Sequence, residues 1–442
     1  MGVSRRSFLH AVAGAGLLAP AMAACASKGS QGAGLSPTSP TPVPPAPPPA
    51  SLVPLRAQAQ AAGYLYGAAV DITGVNDAGF AAAVTTECNI ITSENSLKWA
   101  ALRPAPDRFD FSRGDTLRDF ARAGGMAFRG HTLVWHSSLP AWFSTTVTAQ
   151  NAERYLTEHI TTVVQHYAGG MHSWDVVNEA IDTASGRADG LRNSPWLQML
   201  GPRYLDLAFQ TAAAADPLAP LYYNEYGLEL SSSGAKRDAT LRLLSGLRDR
   251  GVPIHGLGIQ GHAGGSGWAQ FDASGFAAFL RDVGRLGLRV VISELDVKDN
   301  NLPADITTRD QAVAAVYRDY LAVALAEPAV GAVITWGLSD KYTWLTTAAA
   351  RADGQAVRPL PLDSAFNRKP AWEAIAAAFR GRQTSAAAPA AITLGGNKGE
   401  AGFGDTGPSA GGFGLTPAPP PAPGRSGFRP EPAGGAAPRR RQ

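Results

Sequence analysis

Cysteine is almost absent from this chain: among 442 residues, Cys25 and Cys88 are the two present. With Cys25 in a segment read as lipidated or removed, Cys88 has no partner, and no intramolecular disulfide is expected. Cys88 lies in CNIITSEN and reads as a small buried hydrophobe rather than a nucleophile. The chain also lacks a GxxxxGK[ST] loop, and no Gly-rich dinucleotide fingerprint follows its first strand candidate. No cradle for a nucleotide phosphate is therefore expected, and no cofactor. Internal repeats are missing too, which argues against a solenoid. Excess charge of one sign is scarce: charged residues are 17% of the total and the net is +3. Residues 1–50 carry three basic and no acidic side chains, and residues 383–442 carry six basic and three acidic, which leaves −3 for the segment between them. That segment offers no basic face, so nucleic acid is not expected as a partner.

What is present divides the chain into four. Residues 1–25 begin MGVSRRSFLH, with twin arginines Arg5 and Arg6 ahead of an Ala/Gly/Leu-rich stretch ending at AMAAC. This looks like a Tat-type export signal and is too short for a spanning helix. Cys25, after small residues, resembles a bacterial lipoprotein acceptor, although Met22 stands where Leu is more usual. The expected location is periplasmic or extracellular, with membrane attachment if Cys25 carries lipid. Residues 26–51 are rich in Pro, Ser and Thr and read as an extended spacer. Residues 383–442 are Gly, Pro and Ala with few large apolar groups, and disorder is expected there.

Between them, residues 52–382 alternate short apolar runs with helix-like segments, the pattern of an α/β fold with a parallel sheet. Eight strand candidates occur, ending at Val70, Asn95, Trp135, Glu179, Tyr226, His262, Asp296 and Leu338. Helical stretches such as DTLRDFARAG, RYLDLAFQTAAAA, KRDATLRLLSGLRD and QAVAAVYRDYLAVAL separate them. Eight such units in series imply closure into a (β/α)8 TIM barrel, a single domain expected to be monomeric.

The polar residues concentrate at the strand ends, the face on which such barrels do chemistry. Glu94, Asn95, Lys98 and Trp99 follow the second strand, and His131, Trp135 and His136 the third. Asn178 and Glu179 end the fourth, Asn224, Glu225 and Tyr226 the fifth, Gln260 and His262 the sixth, and Glu294 and Asp296 the seventh. Trp336 and Trp344 follow the eighth. Taken singly, each has a structural explanation: an acid as an ion-pair partner, His131 or His262 as a bonded core histidine, Trp135 or Trp336 as core. Their concentration at one end suits a sugar, whose hydroxyls need planar donors and acceptors and whose apolar faces rest on indoles. Glu179 and Glu294, far apart in sequence and delivered to one rim, suggest acid/base and nucleophile chemistry on a glycosidic bond. A metal hydrolase built on His131, His136 and His262 lacks the paired histidines on one strand that such sites use. A lectin on a dead barrel has no reason to keep both acids.

The segments TSENSLKW, RGHTLVWHSSLPAWF, WDVVNEA, YYNEYGLE, IQGHAG, VISELDV and TWGLSDKYTWL stand in this order, followed by RPLPLDSAFNRKPAW. They resemble the motifs of glycoside hydrolase family 10, the retaining endo-β-1,4-xylanases, over roughly Ala57 to Phe379. The resemblance implies Glu179 as general acid/base and Glu294 as nucleophile, with no metal. It implies that Asp296 supports His262, which in turn bonds Glu294, and that Asn178 bonds the sugar 2-hydroxyl. Asn95, Lys98, His131, Trp135 and Gln260 are implied on the glycone side, Trp336 and Trp344 as the tryptophans that crowd it, and Tyr226 on the leaving-group side; Glu94, beside Asn95, is expected to bind substrate too. The implied partners are xylan and xylo-oligosaccharides; another β-glucan or a substituted xylan is the alternative substrate. Ser138, Glu225 and Gly227 depart from the pattern, where Gln, Asp and Asn are common, and a wider or wetter glycone pocket is expected at Ser138.

Overall fold

Each apolar run becomes a strand because both of its faces are covered, one by the barrel interior and the other by helices. The computed structural model describes residues 53–265 and 268–387. The expected export signal (1–25), the spacer (26–51) and the tail beyond Ala387 lie outside the described residues.

Nine strands occur among the described residues: β1 (Leu65–Val70), β2 (Ile90–Ser93), β3 (Ala127–Val134), β4 (Ser173–Asn178), β5 (Leu221–Glu225), β6 (Gly256–Ile259), β7 (His262–Gly264), β8 (Arg289–Lys298) and β9 (Val330–Thr335). Neighbours run parallel from β1 to β6; β6 then pairs with β8, β8 with β9, and β9 returns to β1 through Leu65 opposite Ala332. The result is a closed cylinder of eight parallel strands. The sixth strand is the exception to the expectation, which ran it unbroken to His262. It breaks at Gln260 and Gly261, where Gly261 adopts φ +75°, and resumes as β7 against the upper part of β8. A left-handed glycine turns the chain there, which an alternation pattern does not reveal. Several other strands stop short of their expected ends, leaving Asn95, Trp135, Glu179, Tyr226 and Trp336 on the loops just past the rim.

The four expected helical stretches form Ser112–Ala123, Arg203–Ala215, Gly234–Asp249 and Ile306–Ala324. Their apolar sides and the outer strand faces make one large core that includes Trp99, Trp174, Trp196 and Trp372. Cys88 is fully buried within it, and burial pushes its thiol well up, consistent with its reading as an inert hydrophobe. The last helix, Pro370–Ala387, runs past the boundary expected at 382; Gln383 Nε2 donates to the carbonyl of Gln58. Inside the cylinder a small apolar plug of Ile90, Tyr222, Val291, Ala332 and Ile334 fills the space. Arg129 lies over the Tyr222 ring at 4.6 Å and pairs closely with Asp175. The interior thus also holds charge, fully buried and paired, where only mutual neutralisation makes burial tolerable.

Barrel closure leaves no room for side chains at some interior positions. A Cβ on Gly67 would lie 2.0 Å from the carbonyl oxygen of Ile90 on the next strand. Gly67→Ala is expected to cost about 1–3 kcal/mol or more, because backbone has to move. Gly234, at a helix start with nothing within 4 Å of its Cβ position, is the control. Thermal unfolding should show a drop of several degrees for Gly67→Ala and almost none for Gly234→Ala.

Candidate active site

Parallel strands all present their C-terminal ends to one rim, and there the chain leaves a cleft of about 490 Å³. Thirteen of the fourteen residues given a role by the resemblance or expected to bind substrate line it: Glu94, Asn95, Lys98, His131, Trp135, Asn178, Glu179, Tyr226, Gln260, His262, Glu294, Trp336 and Trp344. The fourteenth, Asp296, is fully buried behind His262.

Departures from regular pleating make this convergence possible. β4 shifts register between Asp175 and Val177, and β8 between Ile292 and Leu295. In a regular strand Asp175 and Asn178 would face opposite ways. With the shift, Asp175 pairs with Arg129 inside the barrel while Asn178 Oδ1 also turns inward, accepting from Asn224 Nδ2 at 2.9 Å. On β8 the adjacent Ser293 and Glu294 both reach Asn224, at 2.6 and 2.7 Å. Such bulges re-aim side chains beside functional sites. Glu179 then leaves β4 with φ +58°, a left-handed conformation that costs a non-glycine residue on the order of 1–3 kcal/mol and persists only where its surroundings fix it.

The two carboxylates are held by different sets of groups. Glu179 Oε2 accepts from Trp135 Nε1 at 2.9 Å, and its Oε1 accepts from Gln260 Nε2 at 2.9 Å and Asn178 Nδ2 at 3.3 Å. Glu294 Oε1 accepts from Asn224 Nδ2 at 2.7 Å, and its Oε2 lies 3.2 Å from His262 Nε2. Asn178 and Asn224 bond each other, so a chain of two amides joins the acids. On its other side His262 Nδ1 lies 2.9 Å from Asp296 Oδ1. Burial works against a charged His262, but Asp296 and Glu294 together outweigh it and lift its pKa to about 10. The ring is therefore an imidazolium at neutral pH, donating both N–H groups. Burial likewise pushes the Glu294 carboxyl up; the His262 hydrogen bond, with help from His131 and Asn224, wins and leaves it below its ordinary value. Glu294 is thus kept ionised in a buried site.

On one flank Lys98 Nζ sits 5.1 Å from the Trp135 ring centre and 5.8 Å from that of Trp336, and it donates to Asn95 Oδ1 at 3.1 Å. Burial lowers its pKa, while Glu294, Glu94 and Glu179 pull the other way. Glu94 is raised, chiefly by burial. Trp336 packs edge-on against His131 and His262, and Trp344 Nε1 donates to Asp296 Oδ2 at 2.8 Å. His131 Nδ1 is 3.1 Å from Asp175 Oδ2, which ties the cleft to the buried arginine below. Among the described residues no group of three His, Cys, Asp or Glu side chains is placed to hold a metal ion.

The profile of Glycosyl hydrolase family 10 matches residues 54–378. The chain belongs to this family. It is 38% identical over 297 residues to Endo-1,4-beta-xylanase 1 of Humicola insolens, covering 66% of this chain and 65% of that protein. To a Beta-1,4-xylanase of Dictyoglomus thermophilum it is 36% identical over 298 residues, covering 65% of this chain and 81% of the relative. Xylanase 10B of Thermotoga petrophila RKU-1, solved in complex with xylobiose, superposes with a TM-score of 0.69 at 31% identity, covering 75% of this chain and 99% of that one.

In this family 10 chain, two of the three departures fall outside the cleft wall. Glu225 is fully buried and points away from the cleft, pairing with Lys236 at 2.9 Å and bonding Tyr223, the Ile181 amide and the Tyr226 amide. Burial raises its carboxyl, against the pull of Lys236. Ser138, at φ +52°, gives its carbonyl to Ala100 N and does not line the cleft. Gly227 does. Sequence reasoning missed Arg192 and Lys298 as cleft residues; His136, expected at the rim but given no role by the resemblance, lines the cleft too. His136 Nδ1 is 3.8 Å from Glu179 Oε2 without a hydrogen-bond partner, and burial, with Arg192, lowers its pKa. Arg192 lies in an irregular loop with no periodicity to mark it; Lys298, two residues past Asp296 on β8, was open to the alternation argument.

Asp296→Asn removes the charge that keeps His262 protonated. Because His262 depresses Glu294, the Glu294 carboxyl should rise and the acidic limb of the kcat/KM–pH profile should move to higher pH. The stability sign is separate. A histidine raised from 6.5 to about 10 stabilises the fold in full below about pH 6.5 and loses that contribution as pH climbs through about 10. Unfolding curves of wild type and Asp296→Asn should differ most below pH 6.5 and converge toward pH 10.

Proposed function

We propose that this chain is an endo-1,4-β-xylanase that hydrolyses internal xylosidic bonds with net retention. The observation that carries the reading is a pair of carboxylates, Glu179 and Glu294, facing one tryptophan-walled cleft, with Glu294 kept ionised by a charged His262. Family membership and the xylanases among its relatives support the substrate class.

Glu179 delivers a proton to the glycosidic oxygen as Glu294 attacks the anomeric carbon, and the bond to the leaving sugar breaks. A glycosyl ester forms on Glu294. Glu179, now a carboxylate, takes a proton from water, which attacks the anomeric carbon from the vacated side and releases Glu294. The tight hydrogen bonding of both acids supports fixed roles, since each has an orienting partner set. Asn178, between the acids, bonds the sugar 2-hydroxyl, and its contact tightens as charge develops at the adjacent carbon. Glu94, Asn95, Lys98, His131 and Gln260 hold the glycone, and Trp336 and Trp344 crowd the space a 6-hydroxymethyl group needs, favouring xylose over glucose. Tyr226, 37% exposed, flanks the leaving sugar.

Proton NMR of the first product from xylo-oligosaccharides should show the β-anomer; an initial α-anomer sinks retention. Glu179→Ala should lower kcat/KM for unactivated xylo-oligosaccharides by about 10²-fold or more and spare aryl xylobiosides with acidic leaving groups. Equal losses on both would remove Glu179 from the proton-donor role.

Export rests on Arg5, Arg6 and the apolar stretch after them. Replacing both arginines with lysine should retain the protein in the cytoplasm of its host, and intact mass of the membrane fraction tests whether Cys25 carries lipid.

A further inference from the structure

Glu179 occupies a backbone conformation that needs external support; the Tyr223 hydroxyl accepts from the Ala180 amide at 3.0 Å, and on the carbonyl side of the same peptide the support comes from Arg192. Its Nε donates to the Glu179 carbonyl at 2.8 Å, and one terminal nitrogen donates to the Ile181 carbonyl at 3.3 Å. The same nitrogen donates to the Tyr226 hydroxyl at 2.9 Å, and the other reaches Asp182 at 3.4 Å. The Arg192 amide bonds the Ala180 carbonyl at 2.7 Å, and a bridge between Ile181 and Leu191 brings this loop back over the end of β4. Arg192 is 16% exposed and lines the cleft.

The guanidinium thus clamps the carbonyls of Glu179 and Ile181, on the Glu179 peptide itself and just beyond it, and its other contacts go to Asp182 and to Tyr226, the aromatic residue of the leaving-group side. A planar fork suits this task, since its donors are fixed relative to one another; an ammonium cannot reproduce the spread. Tyr226 is gripped from a second direction. Lys236 Nζ stands 3.4 Å from its ring centre, itself held by buried Glu225. One ring face is therefore taken by a cation and the hydroxyl by Arg192, so the ring has little freedom of its own.

Resting on the xylanase reading above, we infer that Arg192 is a positioning residue: it fixes the Glu179 backbone and the Tyr226 ring in one unit, so that a sugar seated on the leaving-group side meets a proton donor already aimed at its oxygen. Arg192 does not touch the reacting atoms; it acts through Glu179.

The test compares Arg192→Met and Arg192→Lys with wild type on xylotetraose and on 2,4-dinitrophenyl β-xylobioside, reading kcat/KM. Xylotetraose needs proton assistance and the dinitrophenolate does not. Arg192→Met should lose about 10-fold to 10²-fold on xylotetraose and no more than about threefold on the aryl substrate. Arg192→Lys, which keeps the charge but not the fork, should stay deficient on xylotetraose. Equal losses on both substrates, no loss on either, or full activity with lysine each overturn the inference. If Arg192→Met does not fold, Tyr226→Phe removes only the hydroxyl that Arg192 holds. It should show the same selective loss at smaller size, and an unselective effect overturns the inference in its place. Failure of the wild type to hydrolyse xylotetraose would strike the xylanase reading instead.

Discussion

The cleft depends on a cation placed between two buried acids. His262 has Asp296 on one nitrogen and Glu294 on the other, and neither acid is accessible enough for water to do the work of the ring. Two carboxylates buried on either side of one ring would not ordinarily both stay ionised, because desolvation and mutual repulsion both favour neutralising one. The imidazolium removes that option by giving each a hydrogen-bonded counter-charge. Both of its N–H groups are engaged, so it is a fixed charge and not a carrier of protons. Glu179 stands outside this triad, held instead by Trp135 and Gln260.

Below the triad the barrel repeats the principle. Arg129 and Asp175 are buried as a pair, and Asp175 also receives His131, which stands 4.0 Å from Glu294. The charge pattern therefore continues from the barrel interior to the cleft floor, with Asn224 linking Ser293, Asn178 and Glu294 in neutral hydrogen bonds. Each of these side chains has a geometry set by another. A site of this kind is stiff, which suits a reaction whose barrier falls through preorganised electrostatics rather than through movement.

Much of this was legible beforehand, for a physical reason. Strands of a parallel barrel are buried on both faces and appear as short continuous apolar runs, so the eight runs and the acids that close them could be read directly. Alternation likewise placed Glu294 and Asp296 on one side, where both meet His262. Applied to Asn224 and Glu225, the same rule separates them: Asn224 faces Glu294, and Glu225 turns away to Lys236. What stayed hidden were features with no period. The left-handed turn at Gly261, the register shifts of β4 and β8 and the φ of Glu179 are local backbone choices, and several residue types are compatible with each. Arg192 and Lys236 come from a loop and a helix whose sequences show nothing of the strand end they support.

Asp296 serves two masters. One oxygen charges His262 and the other anchors the Trp344 indole, so one wall of the cleft and the switchboard that keeps Glu294 anionic hang from a single carboxylate. The shape of the cleft and the charge of its floor are thereby mechanically joined. Any change at Trp344 that frees the second oxygen of Asp296 therefore disturbs the anion's support at the same time.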